Sequence, residues 1–264
     1  MLGSSALQQH DRVEIRLFGP LAAGVALVII GALSAVFLWA HSEDRGARQR
    51  EELLVHNGIE TRMDELESAA AAELIWDDAV KHLDNRYDAK WAQDNVGEYF
   101  SSNAHIERAF VIDKAGAAVF AMADGETVSP ARYDAFAKPT APLIAKVKAA
   151  EAARGRFKAA GRAKEMISKP IQASDLVMAG GAPFIVTATL VQPDYGEALP
   201  SGDRAPVVVT ADAIDHGFLA VLSKRFLLTD ARLGGKTAPG QASIVLRNAR
   251  GETIMPLSWT PQKP

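Results

Sequence analysis

The sequence predicts an α+β fold in which a long N-terminal helix packs on an antiparallel sheet, with further helices against that sheet. One observation is that no proline occurs from Leu21 to Ser129, and apolar residues recur there at near-helical spacing among acids and arginines. The other is a change of period after residue 105, where short apolar runs alternate with glycine-containing turns. A long helix followed by hairpins and helices is typical of an α+β domain.

The composition is that of a folded protein, and it excludes several classes of function. The chain has 264 residues, of which 48% are hydrophobic and 23% charged, so it can hold one sizeable domain or two small ones. The net charge of -3 gives no electrostatic case for a nucleic-acid partner. There are no cysteines, which excludes disulfides, thiolate metal sites and cysteine nucleophiles. None of the six histidines lies at metal-ligand spacing with another, and we expect neither metal nor cofactor.

Residues 17–40 form the predicted membrane anchor, because LFGPLAAGVALVIIGALSAVFLWA contains no charge. As a helix this segment would be roughly 36 Å long, enough to cross a hydrocarbon core of about 30 Å with some tilt. The competing interpretation is a cleavable signal peptide, whose apolar region would be only about 7–15 residues and whose cleavage site would not resemble LWAHS. Arginines flank both ends of the segment, so the charges alone leave its orientation open.

The helix is expected to continue beyond the membrane through residues 41–70 and to pair with a second copy of itself. Its narrow apolar stripe suits a parallel dimer, for which the predicted contacts are Leu53, Ile59, Met63 and Leu66. The alternative, a helix that packs on its own domain, stays open for the second half of this segment.

Hairpins and shorter helices are predicted further along the chain, and their strands are expected to form a single sheet. Each predicted hairpin turns at glycine, which adopts the left-handed backbone that tight turns commonly need. The predicted elements are a hairpin over residues 106–125 turning at Asp113–Gly116, a helix over residues 139–166, a hairpin over residues 175–194 turning at Gly180–Gly181, a strand over residues 205–213, a helix or helix-to-strand passage over residues 215–228, and a hairpin over residues 241–259 turning at Asn248–Gly251.

Residues 72–95 hold the candidate binding site. This stretch, AELIWDDAVKHLDNRYDAKWAQDN, brings together Trp76, Asp77, Asp78, Tyr87 and Trp91. Consecutive helical residues point about 100° apart, so the two adjacent acids cannot converge as a general acid–base pair. One acid should face inward and the other water. Two interpretations remain, closure of the core around Trp76 or an aromatic and acidic wall beside a small-molecule pocket.

Motifs of catalysis are missing, and the chain is predicted not to be an enzyme. The segment Gly234–Thr237, GGKT, lacks the first glycine of a phosphate-binding loop because Asp230 stands there. No GxSxG, GxGxxG or HExxH motif occurs.

The order of these features resembles a CHASE-type sensory domain of the fourth class. The resemblance covers roughly residues 50–260. The stretches that carry it are WDDAV, GEYF, FVIDKAGAAVF, GGAPFIVTATLV, APVVVTADAID, FLAVLSKRFLL and LRNARGETIMPLSW.

The resemblance implies a fold similar to the Cache and PAS-like sensors, in the bacterial periplasm between two membrane spans. It implies cytoplasmic residues 1–16, periplasmic residues 41–264 with a sensor domain of residues 71–260, and residues 261–264 at the start of a linker to a second inner-membrane span. The expected function is signal input to a cytoplasmic GGDEF or EAL enzyme of cyclic di-GMP turnover. We expect this chain to be part of a longer receptor, and the alternative is a freestanding membrane-tethered sensor.

The expected partners are a second copy of the chain and an unidentified periplasmic small molecule or protein. Two alternatives stay open. One is a partner-binding or dimerisation domain without a small ligand, and the other is an input domain for a different output such as a histidine kinase.

Overall fold

The computed structural model describes residues 5–157 and 161–262, and before residue 48 it describes side chains only for residues 27–34. The chain divides into two compact units, residues 1–51 with 262–264, and residues 52–261. In the first unit the backbone N–H of Gln262 donates a hydrogen bond to Glu51 Oε1 at 2.9 Å. The second unit combines helices with antiparallel sheet, which confirms the predicted α+β class.

Helix α1 runs over Ser5–Leu74. The predicted cytoplasmic residues 1–16 and most of the predicted membrane span, residues 17–40, lie outside the residues whose side chains are described. Within the described part of the chain, no helix is long and apolar enough to cross a membrane.

One face of α1 is buried in the core of the second unit. Its buried side chains are spaced four or seven residues apart, one or two helical turns, as one face of a helix requires. They are Val55, Ile59, Leu66, Ala70 and Leu74.

Two of the four predicted dimer contacts are buried within their own domain. Ile59 and Leu66 lie in the core of their own domain, and Met63 packs against that core. Leu53 is 61% exposed. The second half of the segment therefore packs on its own domain, which was the alternative interpretation, and dimerisation stays a prediction.

The strands of the described residues form two antiparallel sheets, so the expectation of a single sheet is wrong. The main sheet has the order β3-β2-β1-β6-β5-β4 and the smaller one the order β7-β9-β8. Helix α6 (His216–Phe226) separates β6 from β7 along the chain, and the last three strands pair with each other instead of extending the main sheet. The strands are β1 Arg108–Ile112, β2 Ala118–Ala123, β3 Glu126–Val128, β4 Gln172–Ala179, β5 Ala182–Leu190, β6 Val207–Ala213, β7 Thr229–Leu233, β8 Ala242–Arg247 and β9 Thr253–Thr260.

The remaining helices are short, apart from α5 (Asp134–Arg154). Helix α5 begins earlier and ends earlier than the predicted helix over residues 139–166. It follows a 3₁₀ turn at Pro130–Tyr133, and it ends where Gly155 takes a φ of 74°. Between α1 and β1 the chain forms α2 Asp77–Ala79, a π-helix Val80–Asn85, α3 Ala89–Ala92, a second π-helix Gln93–Glu98 and α4 Tyr99–Ala104.

The main sheet has a hydrophobic core on each face. Successive strand residues point to opposite faces, so Ala109 and Val111 of β1 join the core that contains α1. Phe110 and Ile112 join the other core, beneath α5. The sheet therefore lies between two helical layers.

Gly58 permits a close approach between α1 and α6. A Cβ atom at this position would lie 2.6 Å from Phe226 Cε2 and 2.7 Å from Leu222 Cδ1, both closer than van der Waals contact allows. Glycine weakens a helix interior by about 1 kcal/mol relative to alanine, so its presence here is explained by packing.

We expect Gly58→Leu to lower the free energy of unfolding by about 1–3 kcal/mol, because the added side chain overpacks the contact with α6. Asn57→Leu, at the exposed neighbouring position, is the control and should leave stability nearly unchanged. Thermal and urea unfolding measure both variants. Equal stability of Gly58→Leu and the original chain would contradict the close contact.

Candidate functional site

The predicted site lies where α1 ends. Leu74 is the last helical residue, and Trp76 takes an extended backbone with φ of -153° and ψ of 138°. The carbonyl of Leu74 accepts a hydrogen bond from the N–H of Gln192 at 3.0 Å, and Ile75 forms a parallel bridge with Gln192. The chain is thereby fixed to the segment that follows β5 before α2 begins.

Asp77 is buried and its carboxylate binds a loop. Oδ1 accepts hydrogen bonds from the backbone N–H groups of Gly196 at 3.0 Å and Ala198 at 3.4 Å, and Oδ2 accepts one from Glu197 at 3.0 Å. In return the N–H of Asp77 donates to Asp194 Oδ1 at 3.0 Å. The two segments are joined by hydrogen bonds in both directions.

The hydrogen bonds also decide the charge of Asp77. Burial alone would raise the pKa of this carboxyl, but the bonds from Glu197, Ala198 and Gly196, together with Asp194, outweigh burial and lower the pKa below its ordinary value. Asp77 is therefore an ionised anchor for the loop.

Two further buried carboxylates hold the same part of the chain. Asp84 Oδ2 accepts from the N–H of Ser201 at 2.6 Å, and its Oδ1 lies 3.4 Å from Lys114 Nζ. Glu151 of α5 accepts from the N–H of Ala205 at 2.7 Å. Sequence reasoning missed both residues. Asp84 follows Asp77 by seven residues, or two helical turns, and this spacing could have indicated that both acids face the same side.

Asp78 behaves differently from its neighbour. Its side chain is partly exposed, and Oδ1 accepts a hydrogen bond from Lys81 Nζ at 2.7 Å. One of the two adjacent acids thus faces inward and the other toward solvent, as the helical geometry requires.

The aromatic residues of the predicted site divide into two places. The ring centroids of Trp76 and Trp91 are 6.1 Å apart, and His82 stacks on Trp91 at 5.4 Å. Asp88 positions Trp91 by accepting a hydrogen bond from its backbone N–H. Tyr87 is 40% exposed, and its hydroxyl donates to the carbonyl of Val119 at 3.1 Å.

An open groove of about 750 Å³ lies beside Trp76. Of the five predicted site residues, Trp76 lines it, Asp77 anchors the neighbouring loop and Trp91 supports Trp76. The groove is also lined by Glu73, Tyr99 and Tyr195, which the sequence had not indicated. These three residues belong to separate parts of the chain and are brought together only by the fold.

Two carboxyl groups line this groove, Glu73 of α1 and Asp194 of the anchored loop. Burial raises the pKa of Glu73, and a hydrogen bond from the Tyr99 hydroxyl partly offsets that rise. A carboxylate among aromatic faces suits a ligand that carries a positive charge. The described residues contain no group of three or more histidine, aspartate or glutamate side chains arranged to hold a metal ion. The ligand-binding role of the five predicted residues stays a prediction.

The chain matches the model of a known protein family. The model of the CHASE4 domain matches residues 58–233, which is more than half of the chain. The matched range runs from within α1 to the end of β7 and includes the groove. A search of the curated proteins found no match.

We expect Asp77→Asn to lower the free energy of unfolding by about 1.5–3 kcal/mol, because hydrogen bonds to a charged acceptor are lost and one amide hydrogen faces donors. Asp78→Asn is the matched control and should cost less than about 1 kcal/mol, as exposed ion pairs do. Urea unfolding at neutral pH measures both. Equal losses for the two variants would contradict the anchoring role of Asp77.

The effect of Asp77→Asn should also depend on pH. Because folding lowers the pKa of Asp77, its stabilisation is fully present above the unfolded value of about 3.9 and is lost as pH falls through the folded value. The difference between the original chain and Asp77→Asn should be constant near neutral pH and shrink below about pH 4. A difference that grows on acidification would be inconsistent with an ionised anchor.

Proposed function

Because the chain belongs to the CHASE4 domain family, a family of sensory domains, we propose that it is the extracytoplasmic signal-input module of a bacterial membrane receptor. The observation that carries this proposal is the family match over residues 58–233. The open groove beside Trp76 supports the same function. The chain itself is proposed to act by binding.

The proposed topology has three parts. Residues 1–16 are cytoplasmic, residues 17–40 cross the inner membrane and residues 41–264 lie in the periplasm. The uncharged run of residues 17–40 supports this arrangement, as does the extracytoplasmic location of CHASE4 domains.

The groove beside Trp76 is the proposed input site. Ser68, Ala71 and Glu73 of α1 line it together with Asp194 of the anchored loop. A ligand there would contact the last turns of α1 directly. It would signal only if it bound the two signalling states of the receptor unequally. The proposed output is a GGDEF or EAL enzyme in the cytoplasm, acting on cyclic di-GMP.

The topology is tested by fusing reporters after residue 100. We expect alkaline phosphatase, which needs export, to be active there, and a fluorescent protein that matures only in the cytoplasm to be dark. The reverse pattern would reject the periplasmic location. The same fusions after residue 10 are the control and should give the opposite result.

The output is tested separately by an in-frame deletion of residues 71–260 from the receptor gene in its host. The level of cyclic di-GMP should change, because removing the input domain releases the enzyme from its control. An unchanged level, with normal amounts of receptor, would reject control of cyclic di-GMP and leave the topology result standing.

Dimerisation is proposed to use the exposed face of α1 that precedes its buried stripe. Leu53 is 61% exposed and Leu54 is 42% exposed, whereas the large apolar side chains that follow on α1, such as Val55, Ile59 and Leu66, are buried. A parallel second copy would cover them.

The chain has no cysteine, so single substitutions report contacts cleanly. We expect Leu53→Cys to crosslink between two copies in membranes under mild oxidation. Ile59→Cys is the matched control, because Ile59 is 4% exposed and faces its own core. Crosslinking at neither position 53 nor position 54, with a monomeric mass in detergent, would remove this helix from the interface.

A further inference from the structure

A second cavity, of about 390 Å³, lies between α1 and α6. Gly58, Arg62 and Glu65 of α1 line one side. The opposite side, from α6, is mainly apolar. Its apolar side chains are Phe218, Val221, Leu222 and Phe226, and the charged Arg225 lies among them. Its volume is within the range of sites for small molecules.

All three nitrogens of the Arg62 guanidinium form hydrogen bonds at the polar end of this cavity. Its Nε donates to Asp212 Oδ2 at 2.8 Å, and one Nη donates to Glu65 at 3.2 Å. The other Nη donates to the carbonyls of Ala104 and His105, at 3.4 and 3.1 Å. The guanidinium therefore has little capacity to neutralise another carboxylate.

Glu107 lies next to this ion pair and is half-buried. Burial raises its pKa, and so do the nearby carboxylates of Asp212 and Asp215. The neighbouring Arg108 lowers it only in part, because Arg108 forms an ion pair with Asp124 at 2.6 Å. A hydrogen bond from the backbone N–H of Ala213 also lowers the pKa of Glu107 in part. Across the described residues Glu107 forms no ion pair of its own.

The charges around the cavity leave an excess of carboxylates. Glu65, Glu107, Asp212 and Asp215 line it, against the guanidinium groups of Arg62 and Arg225 and the imidazole of His105. These carboxylates would repel an anionic ligand. A metal ion is disfavoured, since no cluster of three suitable side chains occurs in the described part of the chain. An organic cation can form an ion pair with a carboxylate of this cavity and pack its apolar part against the apolar side chains of α6.

We propose that this cavity binds a small organic cation, an amine that carries an aromatic or aliphatic group. Its ammonium group lies at Glu107, and its apolar part packs on Phe218, Val221 and Phe226. Binding here joins α1 to α6, the helix that leads directly into β7. This site is distinct from the groove beside Trp76, and it does not depend on the identity of the output enzyme.

The test measures binding to the full chain in detergent by calorimetry, with three probes of similar shape. Phenethylamine is the cation, phenethyl alcohol the neutral analogue and phenylacetate the anion. We expect phenethylamine to bind and the other two to bind at least about tenfold more weakly, a difference of about 1.4 kcal/mol. Glu107→Gln should weaken phenethylamine binding about tenfold. Glu126→Gln, at an exposed position of β3, is the matched control and should not weaken it.

Three results would overturn the proposal. One is equal binding of phenethylamine and phenethyl alcohol, which would mean an apolar cavity without charge recognition. Another is binding lost in Glu73→Gln and kept in Glu107→Gln, which would place the amine in the groove beside Trp76 and support the input site proposed above. The third is no binding of phenethylamine while circular dichroism shows a folded chain.

Discussion

The burial of one face of α1 against the main sheet is the contact on which the rest of the domain depends. Each large aliphatic side chain in this stripe contributes about 1.5–3 kcal/mol by leaving water. Because the stripe runs from Val55 to Leu74, it fixes the position of the helix along most of the domain. The groove beside Trp76 lies at the end of this stripe and the cavity near Gly58 lies close to its beginning. A displacement of α1 would therefore reshape both openings.

Buried carboxylates give order to a part of the chain that has little regular structure. Residues 194–205 lie in the connection between β5 and β6. The backbone N–H groups of Gly196, Ala198 and Ala205 in this segment are buried and need partners. Asp77, Asp84 and Glu151 each accept at least one hydrogen bond from the backbone of this segment. They reach the segment from different helices, so the segment is held at three points. Asp77, one of the two adjacent acids of the predicted binding site, is thus one of these structural anchors.

Local features were predictable from the sequence, and long-range ones were not. The hairpins at Gly116, Gly180–Gly181 and Gly251 follow from turn chemistry within a few residues. The pairing of β7 with β9 depends on where α6 directs the chain, which no local pattern records. Helical geometry required one of Asp77 and Asp78 to face inward, but the choice depends on a loop about 120 residues away. The amphipathic pattern of α1 likewise shows an apolar face without showing whether a sheet or a second helix covers it.

Strand β9 has a mechanical consequence for the C-terminal end of the domain. It is the central strand of the smaller sheet, hydrogen-bonded to β7 on one side and β8 on the other, and Trp259 near its end is fully buried. The hydrogen bonds of antiparallel strands lie across the strand direction, so a pull along β9 shears both ladders at once. Such a load is shared among all the bonds, whereas a strand peeled from an edge breaks them one after another. The end of β9 should therefore move as one rigid body with its sheet.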